Sequence, residues 1–78
     1  MKRIRVIAPS YVMAKDYLNE MNSKSSCIML SINDADKLRG LRSVDIVVLN
    51  KEYCDKQLIG FLAVQSTVAN LNVEYVNV

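Results

Sequence analysis

Ser10 follows Pro9 and precedes a helical pattern, while Asn50, Lys51, Glu52 and Tyr53 follow the apolar run Ile46-Val47-Val48-Leu49. A hydroxyl and the free N–H groups of a first helical turn can hold a phosphate or another anion. Lys51 is the cation that would complete such a site. The ordinary role of a serine in this place is to cap the helix. Tyr11 and Tyr53, one beside each of these segments, offer faces on which a base could stack, with packing under a wet hydroxyl as the everyday alternative. Ser10, Tyr11, Asn50, Lys51 and Tyr53 are thus the candidate ligand- or anion-binding residues.

A second set is basic. Lys37, Arg39 and Arg42 lie in Lys-Leu-Arg-Gly-Leu-Arg and could meet a nucleic-acid backbone, or simply form a solvated helix face. Lys2, Arg3 and Arg5 fall at the opposite end of the first strand, away from that cluster. Ten basic and eight acidic residues leave a net charge of +2, too near balance for charge alone to argue for nucleic acid.

Hydrolytic chemistry finds little support. The chain has no histidine, and Glu52 and Asp55, the acids nearest Lys51, have neither a base nor a nucleophile to complete a catalytic set. Asp45 opens its strand, far from that end, and is expected to face solvent or pair with Arg42. Cys27 and Cys54 have no Cys-x-x-Cys spacing, which argues against zinc. No metal and no cofactor are expected. Cys27 reads as an inward strand residue, which disfavours a disulfide. Cys54, beside a helix start, invites a lowered thiol pKa, with an incidental exposed thiol as the simpler account.

These residues need elements to position them. Residues 2–8 read as a strand that stops at Pro9-Ser10. Ala14, Tyr17, Leu18 and Met21 then recur at helical spacing within residues 11–22. The polar stretch 22–26 turns the chain into a second strand over 27–32. Asn33 or Asp34 caps a short helix through Leu38 to Leu41, with acids early and bases late, as the helix dipole favours. Residues 44–50 read as a strand buried on both faces. After a polar loop, Cys54 or Asp55 opens the longest helix, running to about residue 70, in which Leu58, Phe61, Leu62, Val64 and Val68 make a broad apolar surface. The final strand, 71–78, alternates Leu71, Val73 and Tyr75 on its apolar side against Asn72 and Glu74, with Val76 and Val78 on the polar side. Such alternation suits an edge.

The predicted fold is α/β: a β-α-β-α-β-α-β chain forming a three-layer sandwich around a four-stranded parallel sheet of order 2-1-3-4. Residues 1–78 form one Rossmann-like domain with a small core. In open parallel sheets, ligands bind beyond the carboxyl ends where the strand order reverses. That places Pro9, Ser10 and Tyr11 opposite Asn50, Lys51, Glu52 and Tyr53 across a crevice.

Val6-Ile7-Ala8-Pro9-Ser10-Tyr11 followed by Ala14-Lys15 resembles the strand-turn-helix motif of helicase cores. Leu38-Arg39-Gly40-Leu41-Arg42 followed by Asp45-Ile46-Val47-Val48-Leu49 resembles the approach to the second phosphate-site motif of helicases and phage terminase large subunits. The likeness covers roughly residues 4 to 52. In that family the strand ends in Asp-Glu, which holds magnesium and activates water. Here Leu49 and Asn50 stand in that place, and the chain lacks a Gly-x-x-x-x-Gly-Lys-Ser/Thr loop to cradle a triphosphate. The resemblance therefore implies a degenerate fragment of the ATPase core without its hydrolytic parts, of the kind seen as small orphan proteins of bacteriophages.

A hydrophobic fraction of 51% is enough to fill a small core and leave apolar side chains outside. Two functions follow as expectations. The first is a non-enzymatic phage accessory protein that binds a host or viral macromolecule, protein in preference to nucleic acid, with the helix at 55–70 available to a partner or a second copy. The alternative is a small nucleotide- or anion-binding module using the crevice. No apolar run is long enough to span a bilayer, and the expected location is the cytoplasm.

Overall fold

The computed structural model describes residues 4–21, 27–38, 45–69 and 71–78. Strand β1 (Ile4–Ile7) leads into helix α1 (Tyr11–Glu20), strand β2 (Cys27–Met29) and a 3-10 helix over Ile32–Leu38. Strand β3 (Asp45–Leu49), a single 3-10 turn at Lys51–Tyr53, helix α2 (Lys56–Ala69) and strand β4 (Asn72–Val76) complete the chain. The four strands form one parallel sheet in the order β2-β1-β3-β4, as the sequence pattern predicts.

Period-two alternation in the two inner strands builds a core on each face of this sheet. Ile4, Val6 and Ala8 of the first strand and its exit, with Val47 and Leu49 of β3, pack under Ala14 and Leu18 of α1. The intervening residues Ile7, Ile46 and Val48 face the other way. There, with Met29, they meet Ala35 and Leu38 of the 3-10 helix and Leu58 and Leu62 of α2. β3 is hydrogen-bonded to a strand on either side, and Ile46 through Leu49 are all buried. The consecutive apolar run is thus the signature of a strand sheltered on both faces.

Several boundaries and faces differ from the sequence reading, each for a visible reason. β2 stops at Met29 rather than at residue 32, because the Asp34 carboxylate accepts the N–H groups of Leu30 (2.8 Å) and Ser31 (3.3 Å) and bends the chain out of the strand. The short helix that follows is 3-10; its expected continuation to Leu41 lies outside the described residues. In β4, Val73 packs toward α2, but Val76, expected on the polar side, packs toward α1. Tyr75, expected inside with Val73, is 52% exposed. An edge strand under the borders of two helix layers is half-covered on both faces. Among the described residues no helix is long and apolar enough to cross a membrane.

Candidate functional site at the carboxyl rim of the sheet

The rim at the carboxyl ends of β1 and β3 is held together by Asn50. This is the one described non-glycine residue with positive φ (47°), a conformation that asparagine tolerates better than most side chains. Its N–H donates to Val76 O at 2.8 Å, continuing the β3–β4 ladder, while its own carbonyl turns away to accept Tyr53 N–H. The side-chain amide then takes the place of the departed peptide. Oδ1 accepts Val78 N–H at 2.8 Å and Nδ2 donates to Val78 O at 3.2 Å. Nδ2 also lies 3.4 Å from Met13 Sδ of α1. One amide therefore ties the loop after β3 to both the segment after β4 and the first turn of α1.

At this rim Val78 stands between Asn50 and the outer side of α1. Val78 borders a cavity of about 230 Å³ with Asn50, Glu52, Tyr53 and Asn77 on one side. On the other side it borders a cavity of about 190 Å³ with Met13, Asp16, Tyr17 and Glu20. Ser10 is the N-cap of α1, its hydroxyl accepting Met13 N–H at 3.3 Å. Tyr11 and Tyr53 are both exposed. Lys51 places its ammonium 4.8 Å from the centre of the Tyr75 ring, a cation–π distance. A recess of about 380 Å³ beside it is lined by Lys51, Glu52, Lys56 and Ile59.

Of the basic set, Lys37 is engaged at home. Its ammonium lies 3.4 Å from the Asp34 carboxylate and 3.4 Å from the carbonyl of Ile28. Arg39 and Arg42 lie outside the described residues, as do Lys2 and Arg3. Arg5 is half-buried on β1, its Nε without a hydrogen-bond partner. Asp45, expected to face solvent or Arg42, accepts a hydrogen bond from Asn72 Nδ2 at 3.0 Å.

Two further side chains prove structural. Cys54, read as an exposed thiol at a helix start, is buried, with Sγ 3.1 Å from the carbonyl of Leu49. Burial pushes its thiol pKa up, the reverse of an activated nucleophile. Asp55 caps α2 through Gln57 N–H (2.9 Å) and also accepts Ile32 N–H (2.9 Å), clamping the 3-10 helix to α2. Sequence reasoning places Asp55 at the helix start; its second partner, 23 positions away, leaves no local signal. Among the described residues, no cluster of three or more histidine, cysteine, aspartate or glutamate side chains could hold a metal ion.

Comparisons with protein-family models, with curated proteins and with solved structures return no match to this chain.

Proposed function

We propose that this protein is a non-enzymatic binding protein, a phage-type accessory factor of the host cytoplasm that works by docking a macromolecular partner, protein in preference to nucleic acid. The observation that carries this reading is the outer face of α2. From Leu58 to Ala69 the helix contains no charged residue. Leu58 and Leu62 face the core, while Val64 and Val68, four positions apart, are 61% and 78% exposed. A solvated helix normally presents charged side chains there; an uncharged outer face with two adjacent valines suits a protein surface.

The alternative, a nucleotide or anion held at the crevice, has less support because the groups it needs are spent on the fold. The Ser10 hydroxyl caps α1, the Asn50 amide holds Val78, and Lys51 lies over Tyr75. The nucleic-acid branch rests on Arg39 and Arg42 alone, since Lys37 is committed to Asp34 and Ile28.

The test is affinity capture with the wild-type chain and with Val64→Asp/Val68→Asp. Both side chains are exposed, so the variant is expected to fold with little loss of stability. A partner retained by the wild type and lost by the variant supports the reading, and identical capture by both overturns it. Binding to single-stranded and duplex DNA at two salt concentrations, with and without Arg39→Ala/Arg42→Ala, tests the other branch. A thermal shift approaching the ~2.7 kcal/mol that a saturating ligand confers on addition of nucleotides would restore the crevice reading.

A further inference from the structure

The two edges of the sheet are finished differently. In β2, Met29 turns its carbonyl to Ala8 N–H of the first strand's exit, so the main-chain groups of Ile28 and Leu30 point outward. One outward group of each is covered: Ile28 O receives the Lys37 ammonium and Leu30 N–H donates to Asp34. In β4, Val76 O accepts Asn50 N–H and Val78 N–H reaches Asn50 Oδ1. Positions 72, 74, 76 and 78 therefore turn their main-chain groups toward β3. Val73, Tyr75 and Asn77 turn theirs outward, where no strand among the described residues stands. This edge carries few of the usual deterrents to pairing: Asn72-Val73-Glu74-Tyr75-Val76-Asn77-Val78 contains no proline and no lysine, and Glu74 is its one charge.

We propose that a second copy of this chain pairs with the β4 edge, antiparallel about a two-fold axis at Tyr75, to make one continuous sheet across the dimer. This goes beyond the α2 surface and does not depend on it. The occupant is argued from register and charge. A two-fold axis at Tyr75 sets Tyr75 against Tyr75 of the second copy and Val73 against Asn77. Every outward N–H and C=O of those three residues then gains a partner. The positions between them are the close, non-hydrogen-bonded ones, and there Glu74 meets Val76 while Asn72 meets Val78. A register centred one residue earlier would bring Glu74 directly against Glu74, which like-charge repulsion disfavours, and one centred on Val73 would leave Asn77 unpaired. On the α2 side of the sheet, the axis brings together the half-exposed Tyr75 rings, each already covered on one side by a Lys51 ammonium.

The experiment is sedimentation of the full chain across a concentration series, followed by cysteine cross-linking. A monomer–dimer equilibrium is expected in the micromolar range or above. Tyr75→Lys, which opposes two ammonium groups across the axis, is expected to weaken it about tenfold. Tyr75→Cys is expected to form a disulfide-linked dimer under mild oxidation, since hydrogen-bonded antiparallel partners lie at about 5.5 Å between Cα atoms. Glu74→Cys, which faces Val76 of the second copy, is expected to cross-link far less. A protein that stays monomeric at millimolar concentration overturns the proposal. So does a dimer that Tyr75→Lys leaves intact, or one in which Glu74→Cys cross-links as readily as Tyr75→Cys. A dimer broken by Val64→Asp/Val68→Asp but not by Tyr75→Lys would assign self-association to α2 instead.

Discussion

β2 and β4 are both edge strands of one parallel sheet, yet their borders obey different rules. β2 is three residues long and is followed at once by a helix whose Asp34 and Lys37 fold back over its outward main-chain groups. β4 is five residues long, is followed by a segment that Asn50 holds through Val78, and has no strand of the described residues along its outer border. Local side chains close an edge: an acid four positions after Leu30 and a base nine after Ile28 engage an outward group on each residue. Where such side chains are lacking, the border stays open to another strand.

The contrast can be broken most sharply at Asp34. Asp34→Ala removes the acceptor of two N–H groups and the partner of Lys37. It is expected to cost about 2 kcal/mol, as for hydrogen bonds to a charged group, and to speed amide exchange at Leu30 and Ser31. Denaturant titration and hydrogen exchange measure the two effects. At the other border, Asn50→Ala loses the side-chain rungs and places alanine at positive φ, for an expected ~2 kcal/mol. Asn50→Gly keeps the backbone accessible and is expected to cost about 1 kcal/mol. The gap between the two variants isolates the backbone contribution from that of the amide.

Acid provides a gentler version of the first change. The N–H of Leu30 above all, then that of Ser31 and the Lys37 ammonium, hold the Asp34 carboxyl below its usual range against the opposing effect of burial. With the folded-state pKa depressed, the unfolded chain takes up the proton first as pH falls. The stabilisation from Asp34 is therefore complete above the ordinary carboxylate range and is lost as pH drops through the lowered folded value. Denaturation of the wild type and of Asp34→Asn should differ at pH 7 and converge below that value. The smallest effect belongs to Lys37→Met, an exposed ion pair whose loss is expected to cost about 0.5 kcal/mol or less. It uncovers Ile28 O without touching Leu30, and a change in self-association on that substitution alone would show that the β2 border matters more than its geometry suggests.

The sheet order and the two-faced core were legible because β3 announces itself through consecutive buried residues, and because Ala14, Leu18, Leu58 and Leu62 repeat at helical spacing. Ser10 was legible as a cap, since a hydroxyl before a helix has one habitual use. What remained hidden depends on partners distant in sequence. The link from Asn50 to Val78 spans 28 positions and that from Asp55 to Ile32 spans 23. Nothing local distinguishes an asparagine that continues a ladder from one that lines a crevice. Val76 was misplaced because alternation assigns one apolar face to a strand, whereas β4 meets helices on both sides; Tyr75 shares the face of Val73 but stays half-exposed at the border of the sheet.

The inner position of β3 also sets how the chain must reach its native state. Parallel neighbours cannot be joined by a tight hairpin, and Ile4 meets Asp45 across about forty intervening positions, with Asp45 meeting Asn72 across fewer than thirty. Closing loops of that size loses chain entropy before any pairing rewards it. Of the two closures that β3 makes, the one through α2 to β4 is the shorter, so β3 pairs with β4 before it meets β1. Substitutions at Leu62 should therefore slow refolding, while those at Ile4, which meets β3 across the longest closure, should mainly hasten unfolding.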